Sequence, residues 1–223
     1  MFPHHKRNTK MTSAPALRHW KHGFDDPALG SQQTFRAILD AMGHPGQLIT
    51  IRENPCAPDV FNSASAAACL TLLDYETPVW TDIDCRSPAI SWLQFVCGSS
   101  VVTEPCMANF AIITQPATMP PLDYFRIGRY EYPEKVTTII VQLDDILIDT
   151  AHKYSNNFVD NHARLEFKGV RENFWYQWQQ LSGLYPFRID IFFTCDDVLT
   201  VLPKIKGDTH EFKPNGRSSS TRK

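Results

Sequence analysis

Residues Thr137 to Leu143 read Thr-Thr-Ile-Ile-Val-Gln-Leu, a β-branched run without a charge. Such a run is a central strand, because β-branched side chains suit the pleat and a buried strand loses polar alternation. Shorter elements precede it. Ser31 to Met42 is a helix with Ser31 as N-cap, and Phe35, Ile38, Leu39 and Met42 recur at the spacing of one buried face. Asp25-Asp26-Pro27 ends the preceding segment and starts that helix, and Gly43 stops it. Gln47 to Arg52 is a strand. Ser63 to Leu73 is an Ala-rich helix with Ser caps, Thr77 to Thr81 a short strand, and Pro88 opens a helix running to Gly98. Val101-Val102 and Phe110 to Thr114 are further short strands, and Pro120-Pro121 opens a short helical turn ending near Gly128. After the central strand come a strand over Ala163 to Val170 and an aromatic helix over Glu172 to Leu181. A hairpin follows, with Ile189 to Thr194 and Val198 to Leu202 flanking Asp196-Asp197. Helices and strands alternate early and strands dominate later, so the chain reads as α/β with a mixed sheet in one principal domain.

Composition agrees. Of 223 residues, 43% are apolar and 21% charged, which excludes a disordered or fibrous chain. The net charge of −2 conceals basic ends. Residues 1–24 hold Lys6, Arg7, Lys10, Arg18 and Lys21 and no acid, and residues 211–223 hold four basic groups against Glu211. The body between them carries about −10. A body of that sign repels phosphate backbones, so a general nucleic-acid binder is excluded. No apolar leader follows the basic start and no stretch of ~18 apolar residues spans a bilayer. The chain reads as cytoplasmic, with no membrane partner. Residues 1–22 read as a flexible basic arm, 23–210 as one domain and 211–223 as a basic tail. The six cysteines form no C-x-x-C pair and read as reduced thiols, several in apolar contexts.

The chain lacks a P-loop, a G-x-G-x-x-G turn, a G-x-S-x-G elbow and an H-E-x-x-H helix. The common ATPase, dinucleotide oxidoreductase, serine hydrolase and zincin classes are therefore disfavoured. The pairs Asp25-Asp26, Asp144-Asp145 and Asp196-Asp197 are read as turn and cap chemistry, since neighbours on a strand face opposite ways. His19-x-x-His22 has metal-ligand spacing but no third ligand nearby, and no metal is expected. His44, in Gly-His-Pro-Gly, is either solvated or aimed into a cleft. Arg36 is either a surface partner of Asp40 or an anion or partner contact. Asp190 lies in the apolar strand Phe-Arg-Ile-Asp-Ile-Phe-Phe-Thr, and a carboxylate there needs a partner. Phe174, Trp175, Tyr176 and Trp178 form a packing face, in the core or between copies. A pyridoxal phosphate enzyme would need a lysine in a pocket, and only Lys168 is a candidate.

Several segments together resemble one family. Gly23-Phe24-Asp25-Asp26-Pro27, Ser31-Gln32, Phe35-Arg36, Ala41-Met42 and Pro45-Gly46 resemble the opening of PhnH, the H subunit of the carbon–phosphorus lyase system. Leu70 to Trp80, Pro186 to Cys195 and Leu202-Pro203 resemble later motifs of the same family. The resemblance implies a three-layer α/β/α fold related to the pyridoxal-phosphate-dependent transferases but holding no cofactor. It implies a homodimer that assembles with the G, I, J and K subunits. It implies that the assembly moves ribose triphosphate from ATP to an alkylphosphonate, displacing adenine, with no catalytic residue on this subunit. Asp25, Ser31, Gln32, Arg36, His44 and Asp190 are then the motif positions available for partner or ligand contacts. The chain departs from the family pattern in a glycine-free Lys153 to Arg164 stretch and in Leu202-Pro-Lys-Ile-Lys206. The alternative is a non-catalytic interaction protein that keeps only the fold.

Overall fold

The computed structural model describes residues 23–128, 135–149, 164–182 and 189–202. Its centre is the apolar run anticipated from sequence: β4 (Thr138–Gln142) pairs in parallel with β3 (Phe110–Ile113) on one side and β7 (Asp190–Cys195) on the other. The sheet has six strands in the order β1-β8-β7-β4-β3-β2, with β1 at Ile49–Thr50, β2 at Val79–Thr81 and β8 at Val198–Val201. Strands β2, β3, β4 and β7 are parallel, while β8 and β1 are antiparallel additions, so the sheet is mixed. A separate two-stranded ribbon joins β5 (Ile146–Asp149) to β6 (Arg164–Phe167).

Side chains alternate between two apolar clusters along the central strands. Ile112, Ile140, Phe192 and Leu199 pack with α1 (Pro27–Gly43), α2 (Ser63–Leu72) and α3 (Pro88–Phe95). Ile113, Ile139, Val141, Ile191 and Phe193 pack with Leu122, Phe125 and the Phe174 and Trp178 side chains of α4 (Glu172–Ser182). Both faces of β4 are therefore covered, which is why its sequence shows no alternation.

Five local readings are corrected. Helix α1 starts at Pro27 with Asp26 as its N-cap, whose carboxylate accepts from Ala28 N at 3.1 Å and Leu29 N at 3.0 Å; Ser31 lies inside the helix. Its inner face is Gly30, Thr34, Ile38 and Ala41, while Phe35, Leu39 and Met42 remain 46%, 50% and 43% exposed. Small residues let α1 approach closely: a Cβ on Gly30 would lie 2.6 Å from the Phe24 ring. Strand Gln47–Arg52 contracts to two residues, and Val101 makes only an isolated bridge to Val79. Strand β5 was not anticipated at all.

Other elements agree in kind, with α3 ending at Phe95 rather than Gly98 and β6 covering only Arg164–Phe167 of the strand read over Ala163 to Val170. Ser87 caps α3 with Pro88 at its first turn, and the β7–β8 hairpin turns through Asp196 and Asp197. Asp196 takes a positive φ of 48°, which short polar side chains tolerate. All six cysteines are free. Residues 1–22, 129–134, 150–163, 183–188 and 203–223 lie outside the described residues, and with them the basic arm and tail, His19, His22 and all but Arg164 of the glycine-free stretch.

Candidate functional site

In an open α/β sheet the carboxyl ends of the parallel strands are where ligands bind. Here those ends carry a polar cluster. Gln142, at the end of β4, donates through Nε2 to Val60 O at 2.7 Å and accepts from Asn62 N through Oε1 at 2.7 Å. Asn62 is the N-cap of α2, its Oδ1 accepting from Ser65 N at 2.8 Å. Ser65 Oγ lies 2.6 Å from Thr194 Oγ1, and both residues are fully buried. The β7–β8 turn is tied in through its backbone: Asp196 O accepts from Ala64 N at 2.9 Å, and Asp197 O from Ile51 N at 2.7 Å. At the far side of the same edge, Asp82 accepts from Thr114 N, Thr114 Oγ1 and Gln115 N at 2.8 to 2.9 Å.

Two hollows open beside this cluster. The larger, about 340 Å³, is bounded by Asn62 and Ser63 at the start of α2 and by Asp196 and Asp197. The smaller, about 200 Å³, is bounded by Gln33, Arg36 and Ala37 of α1. Ile51, Arg52 and Glu53 border both and join them into one groove.

The motif residues separate. Arg36 lines the groove. Asp25 and Gln32 are exposed and Ser31 half-buried, and none of the three borders either hollow. His44 does not enter a cleft: its Nδ1 lies 3.0 Å from Asp40 Oδ1 and 3.1 Å from Asp40 O, at the exposed end of α1. Asp40 is thus the partner of His44 and makes no ion pair with Arg36. Asp190 opens β7 at the opposite, amino end of the strands, is half-buried, and is not without a partner. The structure brings none of the other five together with Arg36 in the groove.

The site holds charge but shows no catalytic pair. His44 is the one histidine among the described residues, and it is engaged at the surface. Burial and the neighbouring Asp196 and Asp145 carboxylates raise the Cys195 thiol, the reverse of an activated nucleophile. Lys168 is exposed and bonded to Asp145 at 2.7 Å, which raises its pKa, whereas a Schiff-base lysine needs a lowered one. Among the described residues no group of three or more His, Cys, Asp and Glu side chains is arranged to hold a metal, and no helix is long and apolar enough to cross a membrane. Sequence reading missed Asn62, Ser65, Gln142 and Thr194. The available signal was Gln142, a lone amide in an apolar strand that demands a partner.

The opening motif has a structural explanation. Gly23 takes φ 61° and a Cβ there would meet Leu70 at 2.7 Å, Phe24 is 3% exposed, and Asp26 with Pro27 starts α1. Comparison with known proteins places that motif in context. The chain is 29% identical over 187 residues to the alpha-D-ribose 1-methylphosphonate 5-triphosphate synthase subunit PhnH of Rhizobium meliloti (strain 1021), a match covering 81% of this chain and 91% of that protein. The family model described as bacterial phosphonate metabolism protein (PhnH) matches residues 22–206, from the segment before α1 to beyond β8. With the resembling motifs, the α/β fold and the extent of that match in agreement, the chain belongs to the PhnH family of bacterial phosphonate metabolism proteins.

Proposed function

We propose that the chain is the H subunit of a carbon–phosphorus lyase pathway complex that forms ribose 1-alkylphosphonate 5-triphosphate from ATP and an alkylphosphonate. The observation that carries this reading is the family match over residues 22–206, together with a relative named as a subunit of that synthase. The site supports a subunit rather than a separate enzyme. Its described residues offer no nucleophile–base pair, and an acidic body opposes a ligand bringing about four negative charges. Catalysis belongs to the assembly, with the G, I, J and K subunits as partners, and the chain works in the cytoplasm as one domain spanning residues 23–210. The clusters on both faces of the sheet are consistent with a three-layer fold of the pyridoxal-phosphate-transferase type without the cofactor. The exposed Phe35, Leu39 and Met42 stripe on α1 supports a homodimer, since apolar stripes on helices are normally covered.

Deleting the gene from its host tests the pathway assignment. Growth with methylphosphonate as sole phosphorus source is lost and growth on phosphate is unchanged. Undiminished growth on methylphosphonate contradicts the assignment and leaves the interaction-protein reading.

A further inference from the structure

We propose that the groove between α1 and the Asp196–Asp197 turn is a docking site for a charged segment of a partner subunit. An acidic side chain of that segment lies between Arg36 and Arg52, and a basic one faces Asp196 and Asp197. This rests on the reading of the chain as a subunit of a complex and assigns that assembly a surface.

The groove is polarised. Arg36 borders only the smaller hollow, Asp196 and Asp197 border only the larger, and Arg52 and Glu53 stand where the two meet. Arg36 and Arg52 are exposed, and neither guanidinium has a hydrogen bond or ion pair among the described residues. The carboxylate nearest Arg36 along α1, that of Asp40, is taken by His44. Asp196 and Asp197 use their backbone carbonyls to hold Ala64 and Ile51, and both residues are exposed. The fold therefore fixes the turn while leaving its carboxylates available.

Two guanidiniums over one hollow suit a carboxylate, which the planar fork binds in bidentate fashion. A free polyphosphate suits the groove poorly, because Glu53, Asp196 and Asp197 would face its remaining charges. A polypeptide that alternates acid and base satisfies both ends. Between them Ile51, 2% exposed, borders both hollows. Opposed charges on a rim mainly set association rate and register, so the surface selects one partner orientation.

The test is association of the full chain with the purified partner subunits, measured by sedimentation at low and high salt. The variants are Arg36→Glu with Arg52→Glu and, separately, Asp196→Lys with Asp197→Lys. Each pair is expected to weaken association by at least about tenfold, with the loss largest at low salt. Circular dichroism checks the fold of each pair, and Asp197→Lys alone, which leaves the positive-φ Asp196 in place, is expected to weaken association in the same direction. Arg36→Lys with Arg52→Lys keeps the charge without the fork and falls between. Wild-type assembly with unchanged affinity in both charge-reversal pairs overturns the groove and leaves the subunit reading intact. Failure of the wild-type chain to assemble overturns both. Inorganic phosphate or ATP titrated into the isolated chain is expected not to bind; saturable binding lost in Arg36→Glu with Arg52→Glu makes the groove a small-anion site and overturns the proposal.

Discussion

Ser65 Oγ and Thr194 Oγ1 lie 2.6 Å apart where the first turn of α2 meets the carboxyl end of β7, 129 residues away in sequence. Neither hydroxyl reaches solvent, so each depends on the other, and Thr194 Oγ1 also accepts from Asn62 Nδ2 at 3.4 Å. Ser65→Ala leaves a buried hydroxyl short of a partner and is expected to cost about 1–2 kcal/mol. That corresponds to a melting temperature lower by roughly 2–8 °C at this chain size. Thr194→Val added to Ser65→Ala costs less than the sum of the two single changes. Strict additivity in a thermal-melt cycle contradicts the pairing.

Two glycines of α1 give opposite outcomes. A methyl group on Gly30 would meet the buried Phe24 ring at 2.6 Å, whereas one on Gly43 meets nothing within 4 Å. Alanine is favoured over glycine in a helix by about 1 kcal/mol, but overpacking against a rigid ring costs about 1–3 kcal/mol. Gly30→Ala therefore destabilises and Gly43→Ala stabilises, read as urea midpoints. A stabilising Gly30→Ala means that α1 does not seat on Phe24 as described.

These glycines also show what the sequence hid. The spacing of Phe35, Ile38, Leu39 and Met42 suggests a buried face, yet the helix buries the small set Gly30, Thr34, Ile38 and Ala41. Counting apolar residues by size misses a helix that approaches closely through small ones. The central strand was legible because a strand buried on both faces leaves its mark in composition alone, as Ile139, Ile140 and Val141 show. The β7–β8 hairpin was legible because two aspartates between apolar runs have few other solutions. The polar cluster was not legible, because Asn62 meets Gln142 across 80 residues and no local pattern encodes that pairing. Arg36 was singled out by its motif, and only the fold shows that Arg52 joins it and that Asp40 turns to His44 instead.

The cysteines divide by burial. Cys56, Cys85 and Cys106 are exposed, Cys195 is intermediate, and Cys69 and Cys97 are buried. A thiol reagent is expected to label the first three quickly in the native protein, and Cys69 and Cys97 only after unfolding. Burial pushes the Cys69 thiol from 9.0 up to about 12. Its folded pKa is raised, so the stability contributed by the neutral thiol is complete below pH 9 and is lost as the pH rises from 9 toward 12. One such group changes stability by at most about 1.4 kcal/mol per pH unit. Cys69→Ala is expected to flatten the fall in urea midpoint between pH 8 and pH 10. An unchanged slope contradicts burial of that thiol as the cause.

The proposed homodimer places its contact on the exposed stripe of α1. The wild-type chain is expected to sediment at twice its monomer mass at micromolar concentration. Phe35→Ser with Leu39→Ser is expected to sediment as a monomer with an unchanged circular dichroism spectrum, since both side chains are about half exposed. A variant that still dimerises places the self-contact elsewhere on the chain.

Adenine release from ATP plus methylphosphonate tests most directly the proposal that the chain is a required but non-catalytic member of the complex. The reconstituted subunits are assayed with this chain, without it, and against this chain alone. Adenine is expected only when this chain and its partners are present together, with no turnover by the isolated chain. Equal release with and without the chain, or appreciable release by the chain alone, contradicts the account.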